Sequence, residues 1–73
     1  MKLYSQEQGM ADVLLLYEGD SVDAAMLSLV RRIIAKYHQN ETKSIYFTIK
    51  NERGAVIFDA HYDKSGIANP EWE

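Results

Sequence analysis

The sequence predicts an α+β domain of order ββαββ, with one long helix packed on a mainly antiparallel sheet. Three observations carry this. Residues 21–39 have the cap, charge bias and apolar periodicity of an amphipathic helix. Residues 45–50 and 55–60 are rich in β-branched and aromatic side chains and flank Asn-Glu-Arg-Gly, a hairpin signature. Ser-Gln-Glu-Gln-Gly-Met at 5–10 resembles Lys-Asn-Glu-Arg-Gly-Ala at 50–55, so a second hairpin is expected before the helix.

Residues 1–20 are the ambiguous part. Met10, Val13, Leu14 and Tyr17 have helical spacing, and Ser5 and Gln8 could form a capping box, which makes ααββ the alternative. The repeated turn pattern favours strands at 2–5 and 10–17, joined by a turn at 6–9. Glu-Gly-Asp-Ser is then a short link to the helix.

Ser21 is the expected N-cap, because its hydroxyl can accept a bond from a free first-turn amide. Asp20 and Asp23 lie at the positive end of the helix dipole, and Arg31, Arg32, Lys36 and His38 lie toward the negative end. At about 100° per residue, Val22, Met26, Leu29, Val30, Ile33 and Tyr37 form one apolar face, widened on one side by Leu27 and Ile34. Ala24, Ser28, Arg31, Arg32 and Ala35 form the wet side, and Asn40 is the expected left-handed cap.

In the second hairpin, Ile45, Phe47 and Ile49 share one side of their strand, and Val56, Phe58 and Ala60 share one side of theirs. A four-residue loop pairing Lys50 with Ala55 puts both sets on the same side. A three-residue loop pairing Asn51 with Ala55 puts them on opposite sides. Burial should decide, so the first is expected, with Phe47 and Phe58 against Leu29 and Ile33. Gly54 supplies positive φ in either case. Residues 1–63 are read as one domain and 64–73 as an irregular tail, since Gly66 and Pro70 break regular structure.

Composition bounds the function. A chain of 73 residues buries only about 60% of its unfolded surface, and with no cysteine it has no disulfide to add stability. No apolar run is long enough to span a bilayer and no secretory leader is visible, so a cytoplasmic address away from membranes is expected. The net charge of −3 argues against nucleic acid as partner, although Arg31, Arg32 and Lys36 of the helix, with Lys43 beyond it, form the one basic patch. No aromatic residue interleaves with those cations on the helix's outer face, so the stacking signature of single-strand binders is missing there.

Asp59, His61 and Asp63 alternate along one strand and could offer metal ligands, but the same spacing suits a solvated sheet face, and no metal or other cofactor is expected. No nucleophile elbow or phosphate-cradling loop is present, and no enzyme activity is expected. The apolar surplus is the stronger signal. Residues 13–17 are apolar on both sides of a strand, while one helix covers only one side of a sheet. The function expected is therefore a small non-enzymatic protein-binding or regulatory module, self-associating as a homodimer. Leu14, Leu16, Tyr46 and Trp72 are its candidate interface. The alternative is nucleic-acid binding through the basic helix face.

Overall fold

The computed structural model describes residues 1–38, 43–63 and 66–72. The ββαββ order is present: β1 (Lys2–Glu7), β2 (Leu14–Glu18), α1 (Val22–His38), β3 (Ile45–Lys50) and β4 (Val56–Asp63). A fifth strand, β5 (Gly66–Trp72), replaces the expected irregular tail. The sheet order is β2-β1-β3-β4-β5, antiparallel throughout. Pro70 is tolerated in β5 because this is an edge strand and the pairing shifts register beside it, so no ladder bond depends on the missing N–H. The expected cap Asn40 lies outside the described residues.

The core gathers Leu3, Ala25, Leu29, Ile45, Phe47, Ile49, Phe58 and Ala60, with Met26, Ile33, Leu16 and Tyr17 packed against it. Phe47 and Phe58 thus lie in one cluster with Leu29 and Ile33, as expected. The pairing that achieves this differs from the one expected. Asn51 faces Ala55: its N–H donates to the Ala55 carbonyl at 2.9 Å, and Gly54 closes a turn onto the Asn51 carbonyl with φ of 80°. Alone, that loop would put the two apolar sets on opposite sides. A bulge restores Phe58 and Ala60 but not Val56: Lys50 pairs with Val56, which stays off the core, Ile49 pairs with Phe58, and Ile57, the extra residue, packs on the core instead. Burial does decide the side, and it does so through a bulge.

The first hairpin repeats the device. Lys2 pairs with Glu18 and Leu3 with Tyr17, but Tyr4 pairs with Leu15 and Ser5 with Leu14, leaving Leu16 in the bulge. β2 starts at Leu14, later than the expected residue 10, because the turn is longer. The Met10 N–H donates to the Glu7 carbonyl, and the Gln6 amide donates to the Met10 carbonyl. β1 stays extended through Glu7 because its other edge pairs with β3, Glu7 facing Ile45.

Helix α1 is capped as expected, with the Ala24 N–H donating to Ser21 Oγ at 3.1 Å. Tyr17 Oη accepts from the Ser21 N–H, which ties the helix start to β2. Its packed face, however, is not the expected one. Ala25, Leu29 and Lys36 are buried and Arg32 is half-buried, while Val22, Val30 and Tyr37 are exposed. The helix is turned by about 70° at about 100° per residue. The cause is Glu7, on the inward side of β1 with Leu3 and Ser5. Arg32 Nη2 reaches its carboxylate at 2.9 Å and Lys36 Nζ pairs with the same oxygen. A carboxylate under the helix needs cations over it, since an unpaired buried charge is costly.

Candidate functional site

Turning α1 toward Glu7 moves the apolar surplus outward. Leu27, Val30, Ile34 and Tyr37 are 50, 43, 49 and 72% exposed. Their spacing of three, four and three residues is that of alternating a and d positions in a coiled-coil seam. The helix is therefore apolar on two sides: one packs on the sheet, and the other stays about half-exposed or more. Among the basic residues, Arg32 and Lys36 are turned to Glu7, and Arg31 is exposed. Glu7 is held below the ordinary carboxylate range, first by the hydrogen bond from Lys36, with burial opposing and the charges of Lys36, Arg32 and Lys43 adding to it. Sequence reasoning passed over Glu7 because a single carboxylate in a strand carries no periodicity.

The four expected interface residues are not brought together. Leu14 is half-exposed on the helix side of edge strand β2, opposite Ser5. Leu16, in the bulge, packs against the core. Trp72 pairs with Phe58, their ring centroids 4.6 Å apart and tilted by 50°, so it belongs to the helix side of the sheet. Tyr46 alone stands on the outer side as expected, stacked on His61 with centroids 4.6 Å apart and planes 9° from parallel.

That outer side also carries Lys2, Tyr4 and Gln6 of β1, Thr48 and Lys50 of β3, and Asp59 of β4. Thr48 Oγ1 reaches Asp59 Oδ1 at a long 3.5 Å. His61 lies against Tyr46 and Asp59 beside Thr48. Among the described residues no group of three His, Asp or Glu is arranged to hold a metal. No helix among the described residues is long and apolar enough to cross a membrane. Comparison with family models, curated proteins and solved structures gave no match.

Proposed function

We propose that this chain is a non-enzymatic protein-interaction module that acts as a homodimer, joined through the outward side of α1. The observation that carries the reading is the exposed seam of Leu27, Val30, Ile34 and Tyr37 on a helix whose other side is already packed. A small domain without disulfides has little stability to spare for such a surface.

A second copy fits the seam because of its spacing, which repeats as a and d positions do. An antiparallel two-fold pair centred near Val30 sets Leu27 against Ile34 of the other copy and opposes the two helix dipoles. Regulation then lies in what the pairing state presents to other proteins.

Analytical ultracentrifugation tests this. The wild type is expected to dimerise in the micromolar range, with a Tm that rises with concentration, as mass action requires. Ile34→Glu, at a site half-exposed in the monomer, should be monomeric with unchanged far-ultraviolet circular dichroism. A wild type that stays monomeric at high micromolar concentration overturns the reading.

A further inference from the structure

We infer that the outer side of the sheet is a binding site for a nucleobase bearing a phosphate, a ligand independent of the helix interface. The site is a cleft of about 430 Å³ lined by Tyr4, Gln6, Val13, Tyr46, Thr48 and Lys50, with the Ser5 backbone strand as part of its floor. That volume is within the range of small-molecule sites. Tyr4 and Tyr46 stand on the neighbouring strands β1 and β3, diagonal to one another, since Tyr4 pairs with Thr48 and Gln6 with Tyr46. His61 stacks on one face of Tyr46 and leaves the opposite face, on the β1 side, for a ligand. Rings displayed side by side on adjacent strands are what a flat base stacks on. Gln6 keeps its Oε1 and a second amide hydrogen beyond the bond to Met10, and Thr48 keeps its hydroxyl oxygen as acceptor, for a base edge.

The charge supplies the second argument. Lys2 and Lys50 pair directly across β1 and β3, both exposed. Like charges placed opposite each other are destabilising. Glu18 lies opposite Lys2 on its far side, yet neither lysine makes an ion pair among the described residues. Lys50 Nζ instead sits 5.7 Å from the Tyr4 ring centroid. A phosphate at this end of the cleft relieves the lysine pair while its base stacks on the tyrosines. The negative charge of the whole chain disfavours a long polyanion but not a ligand with one or two phosphates.

Amide NMR titration with ADP reads the site directly, and a short uridine oligonucleotide in a parallel arm separates a free nucleotide from the same chemistry at the end of a single strand. Shifts confined to Tyr4, Tyr46, Thr48 and Lys50 and their strand neighbours are expected. Tyr46→Ala should weaken binding about tenfold through lost stacking. Lys50→Glu should weaken it by at least about tenfold and flatten the salt dependence. Tyr46→Phe should bind like the wild type, and so should the Ile34→Glu monomer, because the helix is on the other side of the sheet. An oligonucleotide bound more than tenfold tighter than ADP assigns the site to single strands; equal or weaker binding assigns it to free nucleotide. No shifts at these amides with millimolar ADP or oligonucleotide overturn the inference. Inorganic pyrophosphate binding as tightly as ADP overturns it as well, because the base then contributes nothing.

Discussion

The two hairpins are built alike and buried very differently. Each turns on a glycine at φ of 80°, Gly9 or Gly54, and each carries one bulge, at Leu16 in the first and at Ile57 in the second. Each turn also uses a side-chain amide reaching four residues on: Gln6 donates to the Met10 carbonyl, and Asn51 Oδ1 accepts from the Ala55 N–H. Yet β3 and β4 supply five of the eight core residues, Ile45, Phe47, Ile49, Phe58 and Ala60, whereas Leu14 and Leu15 of β2 stay half-exposed. The difference is position in the sheet. β3 lies between β1 and β4, and β4 between β3 and β5, while β2 is an edge. An interior strand has neighbours' side chains on both flanks to exclude water; an edge strand has them on one. Equal hydrophobicity therefore yields unequal burial.

The largest effect that sharpens this contrast is a pair of truncations. Phe58→Ala should destabilise by about 3–5 kcal/mol, as emptied aromatic core sites do. Leu15→Ala, on the outer side of the edge strand, should cost less than about 1 kcal/mol. Denaturant melts of the two variants check it, and similar costs would break the distinction between interior and edge.

Next is Glu7, which holds the first hairpin to the helix where apolar contacts are thin. Glu7→Gln should destabilise by about 2 kcal/mol near neutral pH, since it removes a charge-assisted pair and leaves Lys36 buried beside a neutral amide. Because the Glu7 carboxyl is lowered in the fold, its contribution is complete above the ordinary carboxylate range and is lost as pH falls through its folded value. The difference in Tm between wild type and variant should therefore shrink steadily on acidification below about pH 4. A gap independent of pH would assign the loss to packing.

The smallest effect compares the turns. Gly9→Ala and Gly54→Ala meet no steric obstacle, as a Cβ at either position has nothing within 4 Å, but both are strained by positive φ. Each should cost about 1 kcal/mol. Equal losses in thermal melts would confirm that the turns do the same backbone work although the strands they join are buried so differently.

Much of this architecture was legible in the chain. The helix follows from Ser21 and its apolar period, and the second hairpin from its β-branched runs around Asn-Glu-Arg-Gly. The shared turn pattern at 5–10 and 50–55 correctly favoured strands over a first helix. The candidate surfaces were much less legible. Val13 to Tyr17 are apolar without alternation, so no pattern could say which leucine a bulge would turn inward. Tyr4 and Tyr46 are far apart in sequence and meet only because β1 pairs with β3.

By itself, then, the sequence determined the ββαββ elements, but not β5, and the inward placing of Ile45, Phe47, Ile49, Phe58 and Ala60, because these are local matters of capping, turn chemistry and period. The tertiary structure decided pairing register, the rotation of the helix and the place of Trp72. An even shift of register leaves every side chain on its own side, so hydrophobicity is blind to it, and hydrogen bonding in the turns and bulges selects among the choices. The helix rotation depends on a charge in a distant strand: Glu7 draws Arg32 and Lys36 inward and leaves Leu27, Val30, Ile34 and Tyr37 facing out. Apolar period counts only what water rejects, and it cannot see a half-buried carboxylate waiting for its cation.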